Sequence, residues 1–168
     1  CARICHSPTA WGMQQTFGTG AATNSTEDIY HADLFLVIGA NPTNAHPVTG
    51  AKIKQQVMKD KKLIVLDPIT TDLAKLADYH IRLRPGTNVA VLNMMLYFII
   101  KSKLYKEDFI LSRTEGFENF VKGIEKLDID HLAKVAGVDK QQVKEAAIAY
   151  ATAKNSMEFH GLGVTEQE

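Results

Sequence analysis

The feature that most limits how this chain can fold is a repeated alternation: a short apolar run that stops at turn residues, then an amphipathic stretch. Leu34-Phe-Leu-Val-Ile38 is continuous and stops at Gly39; Leu63-Ile-Val-Leu66 is similar and stops at Asp67-Pro68. Tyr79-His-Ile-Arg-Leu83 alternates more and stops at Pro85-Gly86. Apolar runs of this length bounded by turn formers predict strands, the first two buried on both faces. Between and after them lie helical patterns over 47–60 (apolar at Val48, Ala51, Ile53 and Val57), 71–77 and 87–103. Strand and helix in alternation predict an α/β fold, a Rossmann-like parallel sheet flanked by helices.

The C-terminal third departs from this pattern. Stretches 106–112, 117–126, 129–136 and 140–154 all read as helical, the last following Val138-Asp139 with an apolar stripe at Val143, Ala146, Ala147 and Tyr150. Residues 157–164 then read as a strand that rejoins the sheet. A length of 168 residues fits a single domain with its own core. Nineteen basic and nineteen acidic residues cancel, which argues against a nucleic-acid partner. The most apolar stretch, 88–100, is too short for a membrane span and is interrupted by two Asn, so it predicts a buried helix. No stretch reads as a signal or transit peptide.

In a parallel sheet the loops after the strands gather on one edge, where ligands bind. Those loops carry Gly39, Asn41, Asn44 and His46; Asp67 and Pro68; Gly86, Thr87 and Asn88. Glycines there admit close backbone approach, helix starts at 43–47 and 87–88 offer N–H groups, and a carboxylate at the Asp67 position suits sugar hydroxyls. No G-x-G-x-x-G follows the first strand, which argues against a nicotinamide or flavin site. The alternative is that Gly39, Pro68 and Gly86 are turn residues only. A second candidate is Cys5-His6, just before a helix expected from about Pro8 to Phe17, capped by Ser7 or Thr9 and stopped by Gly18. The helix dipole there favours a thiolate, a nucleophile or soft metal ligand, with an imidazole beside it to move protons. Its alternative is a buried small cysteine and a surface histidine. Cys1 has no supporting context, two cysteines make no disulfide framework or zinc pattern, and Trp11 and Phe17 read as packing residues of the first helix.

Taken together, Cys1-Ala-Arg-Ile-Cys5-His6-Ser-Pro8, Phe17-Gly-Thr-Gly20-Ala-Ala-Thr-Asn24, Asp28-Ile, Asp33-Leu, Ile38-Gly-Ala-Asn-Pro42 and Ala45-His-Pro47 resemble the molybdopterin oxidoreductase family, specifically the catalytic (alpha) subunits of formate dehydrogenases. Asp67-Pro68, Leu76-Ala-Asp-Tyr-His80, Pro85-Gly-Thr-Asn88, Arg113-Thr-Glu-Gly-Phe117 and Gly161-Leu-Gly-Val-Thr165 extend the resemblance over the whole chain. It implies that residues 1–168 are one molybdopterin guanine dinucleotide-binding domain inside a larger subunit. That subunit would hold two such dinucleotides around one molybdenum or tungsten. By resemblance Cys5 is the protein ligand to the metal and His6 the adjacent proton acceptor. Gly39, Asn41, Asn44, Asp67, Pro68, Gly86 and Asn88 would line the guanine dinucleotide part of one pterin.

One departure stands out: where many relatives carry Arg after Asp-Pro this chain has Ile69, so that contact is lost or falls to Thr70 or Thr71. The family's 4Fe-4S cluster and its substrate-binding arginine would lie outside the chain. The implied reaction is formate to CO2 with release of two electrons and a proton. The implied partners are formate and CO2, the remaining domains of the same subunit, and electron-transfer subunits or another acceptor, in the cytoplasm or alternatively the periplasm. This stretch alone is expected to be inactive. The rival readings are another member such as a nitrate reductase, against which His6 argues, and a non-catalytic nucleotide-binding module.

Overall fold

The computed structural model describes residue 3 and residues 5–166; Cys1 lies outside the described residues. The chain forms two compact units, one from Cys1–His80 with Lys154–Glu168 and the other from Ile81–Ala153.

β1 (Leu34–Ile38), β2 (Lys62–Leu66), β3 (Tyr79–Ile81) and β4 (Ser156–His160) form a parallel sheet in the order β3-β2-β1-β4, which belongs to the first unit except for Ile81. The register runs from Leu34 opposite Lys62 and Ser156 to Ile38 opposite Leu66 and His160. All five residues of β1 are buried, as expected of a central strand with no polar face. On one face Phe35 and Val37, with Leu63 and Val65, meet Ile29, Ile53, Leu73 and the partly buried Met157 and Phe159. Each large side chain so buried contributes about 1.5–3 kcal/mol of transfer free energy.

The helices of this unit are α1 (Ser7–Phe17), α2 (Pro42–Ala45), α3 (Pro47–Val57) and α9 (Leu162–Thr165), with 3-10 turns at Thr26–Tyr30 and Ala74–Leu76. α3 does not bury the stripe that its apolar residues suggest. It turns Gly50, Ile53 and Gln56 inward and leaves Val48 72% exposed. Gly50 sets that rotation: a Cβ there would lie 2.6 Å from the Thr43 nitrogen, so α2 packs on the glycine and Val48, two residues earlier, faces away. The expected helix over 71–77 shortens to the Ala74–Leu76 turn, because the Asp78 amide already donates to Leu63 O on β2. The last strand ends at His160 rather than continuing to Val164, since Gly161 starts the turn into α9.

The second unit is helical: α4 (Asn88–Lys101), α5 (Glu107–Arg113), α6 (Phe117–Ile124), α7 (Ile129–Ala136) and α8 (Lys140–Thr152). Val91, Met94 and Met95 recur at helical spacing on α4 and are buried, as are Ala133 and Ala136 of α7 and Val143, Ala146 and Ala147 of α8. Asp128 and Asp139 cap α7 and α8 by accepting from the His131 and Gln141 amides. Gly137, at φ 69°, ends α7. Among the described residues no helix is long and apolar enough to cross a membrane.

Candidate functional site

At the carboxyl edge of the sheet the loop after β1 leaves through Gly39, whose φ is 52°. Its amide donates to Leu66 O at 2.9 Å, holding it level with the end of β2. The space beside Gly39 is taken by protein: a Cβ on it would lie 2.7 Å from the backbone of Gly163, and one on Gly161 would lie 2.7 Å from Gly39 O. Gly161 donates to Ile38 O at 3.1 Å and Gly163 to Gly39 O at 3.0 Å. The loops after β1 and β4 are thus clasped backbone to backbone, and glycine is the residue that admits such an approach. Sequence reasoning assigned Gly39 to ligand approach and missed Gly161 and Gly163 as its partners. The signal was their spacing just past a strand end.

Beyond Gly39, Asn41 precedes α2 and its Oδ1 accepts from Thr43 Oγ1 at 2.8 Å. Asn44 is exposed on the same short helix. His46 opens α3 with no side-chain cap, and its carbonyl accepts from Gly50. On the neighbouring strand end, Asp67 is only 8% exposed. Its Oδ1 accepts from the Ile69 amide at 2.8 Å, and His80 Nε2 donates to its carbonyl oxygen at 3.0 Å. The bond from the Ile69 amide holds the carboxylate in place at the strand end. Pro68 and the exposed Ile69 follow it. Thr71 is occupied locally: its buried hydroxyl accepts from the Ala74 amide at 3.2 Å.

His160 closes β4 at this edge, with Nδ1 donating to Glu158 Oε1 at 3.1 Å. The Glu158 carboxylate raises its pKa above the ordinary histidine value, against the opposing effect of burial. Sequence reasoning did not single out His160; its two-residue spacing from Glu158 on a strand, which puts both on one face, was the available signal.

Cys5 and His6 stand in a turn ahead of α1; both are exposed and Cys5 is a free thiol. The helix starts and stops as expected, with Pro8 in its first turn and Gly18 at φ 75° after its end. Its cap differs from expectation. His6 occupies the N-cap with no side-chain cap bond, Ser7 is already helical, and the Thr9 hydroxyl pairs with Thr165 at 2.7 Å. Trp11 and Phe17, expected to pack, are 67% and 65% exposed, and no residue of α1 is buried. An 11-residue helix has few turns to bury, and here its contact with the unit runs along the small face that carries Thr9.

The remaining candidates fall in the second unit. Gly86 has φ 81°, a left-handed value that favours glycine, and Asn88 is buried at the start of α4. Thr87, at the N-cap of α4, donates its hydroxyl to Arg84 O at 2.6 Å. Arg84 Nη1 in turn donates to Lys134 O at 2.8 Å and Val135 O at 3.0 Å, the carbonyls that end α7. Among the described residues no three His, Cys, Asp or Glu side chains gather into a metal-binding group.

The model of the family described as molybdopterin oxidoreductase matches residues 1–167. The F420-dependent formate dehydrogenase subunit alpha of Methanocaldococcus jannaschii is 43% identical over 99% of this chain and 25% of that protein. Formate dehydrogenase H of Escherichia coli is 38% identical over 99% of the chain and 23% of that protein. The chain therefore spans about a quarter of the length of the curated relatives it matches. Among solved structures, acetylene hydratase from Pelobacter acetylenicus superposes with a TM-score of 0.86 at 27% identity, over 99% of this chain and 22% of that one.

Proposed function

Because the chain belongs to the molybdopterin oxidoreductase family, we propose that it carries the metal-ligating cysteine and part of a molybdopterin guanine dinucleotide site of a formate dehydrogenase. The observation that carries the reading is the 43% identity to a formate dehydrogenase alpha subunit, which runs over nearly the whole chain.

The donor set fits such a cofactor. Asn41 and Asn44 offer amides able to read a guanine edge, and Asp67 offers a fixed carboxylate oxygen for ribose hydroxyls. Pro68 holds the turn after Asp67, and Gly39, Gly86 and Asn88 shape the strand-end loops from which the dinucleotide would be held. Cys5 offers an exposed thiol, a soft donor suited to a metal already bound by dithiolene sulfurs. Molybdenum or tungsten bound with pterin guanine dinucleotides would supply the two-electron acceptor. His6, next to that ligand, takes the proton as the C–H bond of formate breaks and CO2 leaves. A 4Fe-4S cluster held by another part of the subunit would supply the route for the electrons to a separate acceptor.

In the protein carrying this chain, purified with its metal, formate-dependent reduction of a dye acceptor tests the reaction. The reading predicts turnover with formate and none with nitrate as oxidant; nitrate reduction without formate oxidation would overturn it. Asp67→Asn tests the dinucleotide assignment separately. It is expected to lower retained guanine nucleotide about tenfold, a loss of about 1.4 kcal/mol; full retention would remove Asp67 from the site.

A further inference from the structure

α1 carries Cys5 and His6 at its start and yet buries none of its own residues. Its orientation must therefore come from few contacts. One side-chain link ties α1 to the distant end of the chain: Thr9 Oγ1 to Thr165 Oγ1, 2.7 Å, joining residues 156 positions apart. Thr165 is 8% exposed, so its hydroxyl has little water to turn to. It sits on α9, and α9 is fixed in turn by the glycine clasp: Gly161 to Ile38 O and Gly163 to Gly39 O, with no room for a Cβ at either glycine. A path of close contacts thus runs from the end of β1, through the Gly161–Gly163 backbone and Thr165, to Thr9. Thr9 lies in the first turn of α1, four residues after Cys5. Gly20 lies against the Ala10 carbonyl, 3.1 Å from where its Cβ would be, and so turns the chain back along the same part of α1.

We infer that Thr9 and Thr165 are positioning residues for Cys5, holding the start of α1 in register with the carboxyl edge of the sheet through their paired hydroxyls. The inference rests on the reading of Cys5 as metal ligand and adds the residues that set where its sulfur stands. A loss of either hydroxyl leaves α1 free to shift on α9 without unfolding the sheet, whose core lies elsewhere.

The test uses the full-length protein with Thr9→Val and Thr165→Val, which keep shape and remove the hydroxyl, Thr165→Ser as the conservative variant, and Cys5→Ala as reference. Three quantities are read: molybdenum or tungsten per polypeptide, the metal–sulfur shell by X-ray absorption, and the rate at which iodoacetamide alkylates Cys5 in metal-free protein. Each Val variant is expected to change Cys5 alkylation at least threefold and to lower metal content by a similar factor. Ser is expected to restore both to within twofold, and the double Val variant to add little to either single one. Should Thr165→Val not fold, Thr9→Val at the less buried end still reads the link. Val variants with wild-type alkylation, metal content and sulfur shell would overturn the inference. If instead Cys5→Ala keeps its metal with an unchanged sulfur shell, the ligand reading fails, and the alkylation arm still decides whether the two threonines hold Cys5.

Discussion

At Gly39 two demands coincide: a left-handed backbone at φ 52° and a neighbouring backbone 2.7 Å from where a Cβ would stand. Each alone would favour glycine, and together they make the position intolerant. The same clash without the left-handed backbone occurs at Gly163. Gly163→Ala is therefore expected to destabilise by about 1–3 kcal/mol, the range for forcing extra volume into a packed site. Gly12 offers the contrast: it lies inside α1 with nothing within 4 Å of its absent Cβ. Gly12→Ala should stabilise by about 0.5–1 kcal/mol through helix propensity. Denaturant unfolding of the two variants would show opposite signs; equal and small effects would mean that the clasp is not close-packed. Sequence alone makes these three kinds of glycine look alike, because what a glycine makes room for is another segment, here one 124 positions away.

His160 carries a pH dependence whose sign follows from its partner. The Glu158 carboxylate raises its folded pKa above the ordinary value of 6.5, so the folded state binds the proton more tightly than the unfolded chain. The resulting stability is fully present below about pH 6.5 and is lost as pH rises through the folded pKa. Glu158→Gln should lower the His160 pKa measured by NMR and should destabilise more at pH 6 than at pH 8. An unchanged His160 titration would show that the pair does not form.

At the scale of elements, the buried strands were the easiest to read. β1 and β2 are continuous apolar runs between turn residues, paired residue by residue from Leu34–Lys62 to Ile38–Leu66. The helices of the second unit were nearly as legible, because Asp128, Asp139 and Gly137 mark their ends chemically. Elements whose faces are set by a distant neighbour were not. α3 was misread at Val48 because Gly50, a residue with no side chain, is its packing face. α1 was given a buried aromatic side that it does not have.

Arg84 shows an interaction of the same non-local kind, since it ties the stretch before α4 to the carbonyl end of α7. The site is exposed, so Arg84→Ala should cost only about 1 kcal/mol, from the lost charge-assisted bonds and helix-end interaction. Its clearest signature would be faster amide exchange in the last turn of α7; protection equal to wild type would remove that role from Arg84.

Across the whole molecule, the fold and the chemistry separate. A parallel sheet with a helical unit is shared with an acetylene hydratase at TM-score 0.86, a protein whose name states a different reaction. The fold therefore does not select formate. That choice rests on the higher identity to formate dehydrogenases and on what stands at the start of α1. Of the proposed site, the strand-end loops were visible as a pattern in the sequence, since turn residues after buried strands mark the ligand edge of any parallel sheet. Cys5 stood out in the sequence through its place just before a helix start, which favours a thiolate, but its proposed role as metal ligand came only with the family resemblance.

Cys5 is also where the account is most directly exposed to test. The measurement is the molybdenum or tungsten content, per polypeptide, of the purified full-length protein and of its Cys5→Ala variant, with guanine nucleotide counted in the same samples. The account predicts close to one metal in the parent, and in the variant a loss of metal–sulfur coordination from cysteine with formate oxidation reduced at least a hundredfold, about 2.7 kcal/mol or more of lost transition-state stabilisation. A Cys5→Ala protein that keeps its metal, the same sulfur shell and its formate turnover would contradict it.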